Sequence, residues 1–171
     1  MERESNKGLL EIEQTVLIQS FIEEVGFNDG MVKEKFTPSY KRPLVKDSNG
    51  KPPIGMFRYS GVVGILLYLS GHTNPEIAFT VNCCAQYIFR PKRSHELALK
   101  RLARQLKYNQ DYGILLDPNP DIFKIDAFPD AEFSGMYGRK NSDDPACAKS
   151  YTGFIITFAD FPVYCISKLQ T

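Results

Sequence analysis

Seven basic residues crowd into one short stretch of this chain, and their chemistry is that of phosphate contact. Arg90, Lys92, Arg93, Lys100, Arg101, Arg104 and Lys107 share 18 residues with a single acid, Glu96. The stretch carries +6, so the remainder sums to −5 in a chain whose net charge is +1. A local basic block in a near-neutral protein suits a polyanion, because Lys and Arg displace the counterions that phosphates condense. A solvated helix face would use the same residue types, and both readings stay open here. The other reactive types are sparse. Four cysteines (Cys83, Cys84, Cys147, Cys165) contain no CxxC, and His72 and His95 stand at no metal-ligand spacing. Buried thiols of a reducing compartment are the expectation. Adjacent acids of one kind occur at Asp143-Asp144, in the loop NSDDPAC.

The elements that must position the basic block follow from periodicity. Leu10 and Ile12 alternate with acids, a short strand signal. Val16, Leu17, Ile18, Phe21, Ile22 and Val25 recur at helical spacing, with Gly26 as the stop. Residues 28–56 have no period and hold Pro38, Pro43, Pro52 and Pro53, so they read as an extended surface connection. A second helix is expected from Phe57 to about Ser70. A third begins at a capping-box pattern, Thr73 to Glu76, with Pro75 in the first turn and Pro91 at the end. Ser94 is the expected cap of a fourth helix, with Leu99, Leu102 and Leu106 inward and Lys100, Arg104 and Lys107 on a neighbouring stripe. After Gly113 the period drops to two. Strands are expected at 114–116, 122–128, 151–158 and 163–167, the last two joined by a turn around Asp160-Phe161-Pro162.

A chain of 171 residues, 43% hydrophobic and 24% charged, can bury one ordinary core or two small ones. The start, MERESNKG, lacks the apolar core of a signal peptide. The longest apolar run, Val62 to Leu69, is broken by Gly64 and is far short of the roughly 20 residues of a membrane span. An intracellular chain, cytoplasmic or nuclear and without a membrane partner, is expected.

Three stretches resemble copia-type LTR-retrotransposon Pol polyproteins. FRYSGVVGILLYLSGHTNPEIAFTVNCCAQY (57–87) is similar to Y-R-S-x-x-G-x-L-x-Y-L-x-x-x-T-R-P-D-I-x-x-A/V-V. SHELALKRLARQLKYNQDYGI (94–114) is similar to H-x-x-A-x-K-R-x-x-R-Y-L-K-x-T-x-D-x-G. IDAFPDAEFSG and the later KSYTGFIITF and PVYCISKLQT (within 125–171) are similar to Y-x-D-A-D-x-A-G, K-S-x-T-G-Y and P-x-x-W-x-S-K-x-Q. They occur in family order and span roughly residues 8–171.

The resemblance implies an α+β chain in two parts. Residues 1–112 would be the mostly helical, thumb- and connection-like end of a reverse transcriptase. Residues 113–171 would be the opening strands of a truncated ribonuclease H-like domain, a three-stranded antiparallel sheet. It also implies an RNA–DNA hybrid as partner, together with the remaining polyprotein, and magnesium as cofactor of the intact enzyme. This chain by itself is expected to hold no cofactor. Two-metal hydrolysis and nucleotidyl transfer need several carboxylates converging on the ions. The family's Y-x-D-D does not occur in the sequence. Asp130 matches the first ribonuclease H acid, and its metal role would require the other acids; the bland alternative is an exposed strand-end carboxylate.

Departures from the family pattern point the same way. Ser60 and Gly61 replace the arginine and serine of Y-R-S, and Asn74 and Glu76 replace the arginine and aspartate of T-R-P-D. Glu132 replaces the second acid of D-A-D, Tyr151 an arginine, and Cys165 the tryptophan. Relaxed selection would leave this pattern. The expected function is a Pol fragment, inactive alone, with residual nucleic-acid binding. The alternatives are a helical protein-interaction module or a segment of an active polymerase/ribonuclease H from a longer gene.

Overall fold

The computed structural model describes residues 2–4, 10–27, 35–39, 44–117, 121, 123–132 and 148–170. Asp143, Asp144 and Cys147 lie outside them. The helical part starts from a small sheet. Strand β1 (Glu2–Glu4) pairs antiparallel with β2 (Leu10–Ile12), and β2 pairs with β3 (Ile114–Leu116) in the register Leu10↔Leu116 and Ile12↔Ile114. The strand at 114–116 therefore returns to the N-terminal sheet, and the next strand begins only at Ile125. Gly113 permits that return, since a Cβ there would run into the Ile12 carbonyl.

Helix α1 (Thr15–Glu24) ends on a Schellman turn. Gly26, at φ +83°, donates to Glu23, and Phe27 donates back to Ile22 at 3.0 Å. Helix α2 (Tyr59–His72) runs further than Ser70, and Thr73 closes it by donating its N–H to Leu69. The Thr73–Glu76 capping box is therefore not formed. A 3-10 turn (Pro75–Ile77) follows Asn74, whose side chain takes the Thr73 hydroxyl (2.9 Å), and helix α3 (Ala78–Ala85) continues from it. Pro75 does sit in the first turn, where its missing N–H costs nothing.

Helix α4 (Arg93–Tyr108) also starts differently from expectation: Lys92, not Ser94, is its N-cap. Ser94 lies inside the first turn and donates to Asp47 Oδ2 at 2.7 Å. One face of each helix supplies the core, with Ile18 and Phe21 of α1, Leu66 and Leu69 of α2, Val81 of α3, and Leu99, Leu102 and Leu106 of α4 fully buried. Each such side chain contributes about 1.5–3 kcal/mol on burial.

The second sheet has the order β4 (Ile125–Glu132), β5 (Tyr151–Phe158), β6 (Phe161–Leu169), all antiparallel. The β5–β6 turn is the two residues Ala159 and Asp160, both at positive φ (51° and 64°), a geometry matching the twist of paired strands. Phe161 and Pro162, expected in that turn, are already strand. A register shift beside Thr157 and Ile156 absorbs Pro162. Tyr151 joins this sheet to the helices: its hydroxyl receives Gln86 Nε2 at 2.7 Å and lies 3.3 Å from Cys83 Sγ. The architecture is mixed α+β, with four helices and two three-stranded antiparallel sheets among the described residues.

Candidate nucleic-acid interface

The basic block lies on α4 and the turn before it, and two buried polar side chains hold that region in place. Glu96 is 2% exposed and accepts the backbone N–H groups of Ile54 (2.8 Å) and Gly55 (3.0 Å) and the Arg93 guanidinium (3.1 Å). Burial pushes its carboxyl upward, but the two N–H groups and Arg93 outweigh burial and hold it below the usual range. Next to it, His95 Nδ1 accepts the Lys92 N–H (2.9 Å), while Nε2 lies 3.1 Å from the Val45 carbonyl. The tautomer serving both contacts carries its proton on Nε2. Burial holds the imidazole below its ordinary pKa, and the Lys92 charge adds to this against the Val45 carbonyl and Asp47. The Tyr87 ring stacks on His95 at 4.1 Å and 7°. These contacts clamp residues 44–56 against α4, so this part of the expected extended surface connection is anchored.

The clamp divides the seven basic residues. Arg90 is exposed in the turn before α4, and Lys92 Nζ reaches the Gly50 carbonyl at 3.3 Å. Arg93 is paired with Glu96. Arg101 donates to Thr37 Oγ1 at 2.7 Å on another side of the helix. Lys100, Arg104 and Lys107 converge on Phe27, just past α1. Lys100 Nζ and the Arg104 guanidinium lie 5.8 Å and 5.5 Å from its ring centre, and Lys107 Nζ bonds its carbonyl at 3.1 Å. Apart from Arg101, the structure thus makes two cationic groups, one at the start of a helix about 24 Å long and one running from its middle to its C-terminal end. Nothing in the sequence signalled the clamp except the paired polar residues His95-Glu96 opening an amphipathic helix.

Asp130 stands on β4 opposite Gly153 and is exposed. Among the described residues no three His, Cys, Asp or Glu side chains gather to hold a metal ion. Magnesium keeps its waters unless several oxygens converge, so Asp130 with its described neighbours does not fit that ion. The thiols of Cys83, Cys84 and Cys165 are unpaired with one another, and burial raises all three, Cys84 to about 12. Thiolate chemistry is disfavoured there. No helix among the described residues is long and apolar enough to cross a membrane.

Relatives of known kind align with most of the chain. It is 31% identical over 134 residues, 78% of its length, to the retrovirus-related Pol polyprotein from transposon RE2 of Arabidopsis thaliana. Identity and coverage are the same for the RE1 polyprotein of that plant. The Pol polyprotein from transposon TNT 1-94 of Nicotiana tabacum is 29% identical over 112 residues, 66% of the chain. The chain spans 8% of the length of each of these relatives. No protein-family model and no solved structure matches it. The aligned share and its agreement among three transposon polyproteins make this chain a segment of a retrotransposon Pol polyprotein.

Proposed function

We propose that the chain is the stretch of a copia-type Pol that links the reverse transcriptase to its ribonuclease H domain, contributing nucleic-acid contact and no catalysis of its own. The α4 cations carry this reading, because Lys100 and Arg104 stand beside one another on one stripe. Under it, residues 1–112, with β3 paired back onto their sheet, are the thumb- and connection-like part, and the sheet β4–β6 within residues 113–171 opens the ribonuclease H-like part. The partner is an RNA–DNA hybrid or another nucleic acid. Asp130 takes a metal role only when the remaining acids of a longer Pol are supplied.

The test is hybrid binding by the full chain at two salt concentrations. Three phosphate contacts give a salt slope near −2.7, or roughly a hundredfold loss of affinity between 50 and 300 mM salt. Affinity independent of salt would overturn the reading. Magnesium-dependent cleavage of the hybrid by this chain alone would overturn the absence of catalysis.

A second reading has its own observation. Arg93, Arg101 and Lys107 are spent on Glu96, Thr37 and the Phe27 carbonyl. A helical protein-interaction module would use its cations this way, and it predicts no hybrid binding even at 50 mM salt.

A further inference from the structure

The turn between α3 and α4 holds a cleft that nucleic-acid contact by the helix stripe leaves unused. It has a volume of about 520 Å³ and lies between residues 46–48 and the turn 86–92. Lys46, Arg90 and Lys92 bring three cations to it, against the single acid Asp47. The Ser94 hydroxyl already donates to that acid at 2.7 Å. Two aromatic rings line the same space. Tyr87 is fixed by its stack on His95, and Phe89 is 97% exposed. A phenylalanine held almost wholly in water beside a cationic cleft gains by covering its ring with another flat apolar surface.

We propose that this cleft binds single-stranded nucleic acid, with Phe89 as the platform for one unpaired base and Arg90, Lys92 and Lys46 facing the adjoining phosphates. The inference rests on the nucleic-acid reading above and adds a site and a strand preference to it. Single strands fit better than duplex because a base in a duplex offers neither face to a ring, whereas an unpaired base offers both. The pocket is the size that holds one small ligand, so it accommodates about one nucleotide and the strand continues over the surface. Stacking on aromatics tolerates any base, so little sequence preference follows.

The experiment measures fluorescence anisotropy of labelled dT12 and of a matched RNA–DNA hybrid with the full chain at 50 and 300 mM NaCl. The single strand is expected to bind more tightly than the hybrid. Phe89→Ala should weaken dT12 binding at least about fivefold and leave the hybrid unchanged, while Phe89→Trp should restore it. Arg90→Ala should lower the salt slope for dT12 by about 0.7, the share of one phosphate contact on a single strand. Both residues are exposed, and unchanged melting curves exclude misfolding of the variants. Wild-type affinity for dT12 in both alanine variants would overturn the cleft while leaving the broader reading intact. In that case Lys100→Ala and Arg104→Ala should carry the loss. Failure of the wild-type chain to bind either nucleic acid at 50 mM NaCl would overturn both.

Discussion

The Glu96 carboxylate reaches 42 residues back along the chain to the backbone N–H of Ile54, at 2.8 Å. With Gly55 N–H and Arg93 as further donors, one buried acid fixes both the entry to α2 and the start of α4. Glu96→Gln keeps the volume but turns an amide NH2 toward donors, leaving at least one buried N–H without an acceptor. It should cost about 2–3 kcal/mol, read as a lower urea midpoint. The Ile54 and Gly55 amides should exchange with solvent faster. An unchanged midpoint with unchanged exchange at both amides would show that the clamp contributes nothing.

His95 makes the same region sensitive to acid. Its pKa is depressed in the fold, so folding favours the neutral ring. The stability this provides is complete above the unfolded value, about 6.5, and is lost as pH falls from there through the lower folded value. The depressed Glu96 carboxyl has the same sign in a lower window, below about 4.3. His95→Gln retains an acceptor for the Lys92 N–H and removes the titration. The urea midpoint of the variant should therefore change less between pH 7 and pH 5 than that of the wild type. His72 is unaltered in this comparison. Equal slopes in the two proteins would remove His95 as the cause.

Tyr151 is the tie between the second sheet and the helices. Tyr151→Phe keeps the ring against Phe79, 5.1 Å between centroids, and deletes the hydroxyl shared with Gln86 and Cys83. The expected loss is about 1 kcal/mol. It should appear first as faster exchange in β5, with the α1 and α4 amides unaffected. Uniform acceleration across both regions would mean that the sheet and the helices unfold as one unit.

Much of the helical part was legible because periodicity reports which residues face a core. Ile18, Phe21, Val81, Leu99 and Leu102 are buried where their spacing puts them. The caps were not legible, for a local reason each time. Thr73 matches the start of a helix, but α2 extends to His72 and uses Thr73 to end itself. Ser94 matches a cap, yet the Lys92 N–H is satisfied by His95 and the Arg93 N–H by the Lys51 carbonyl, so the helix begins earlier. The pairing of Leu10–Ile12 with Ile114–Leu116 joins segments about a hundred residues apart, which no short-range pattern encodes. The basic block was visible as composition. Its division into a cleft group and a Phe27 group depends on where Phe27 and residues 44–56 pack against α4, and that information is tertiary.

The last prediction concerns the side of the second sheet turned away from Tyr151. Strand alternation places Phe154, Ile156 and Phe158 of β5 there, with Ile125 of β4 and Tyr164 of β6 as cross-strand neighbours. Ile125 is 71% and Tyr164 49% exposed, and Phe123, 94% exposed, packs edge-on against Phe158. Two kinds of self-association could follow, through strand edges or through this face. The edges are blunted, since β4 and β6 are the outer strands and each carries a proline, Pro129 and Pro162, that cannot donate to a new strand. The face has no such protection and should dominate. The chain is therefore expected to bind a hydrophobic dye and to form concentration-dependent oligomers in light scattering. Ile156→Thr with Ile125→Thr should reduce both without altering the helical circular dichroism. Oligomers that persist in this double variant but dissolve when β6 is given a central lysine, as in Tyr164→Lys, would shift the cause from the face as a whole to the β6 side.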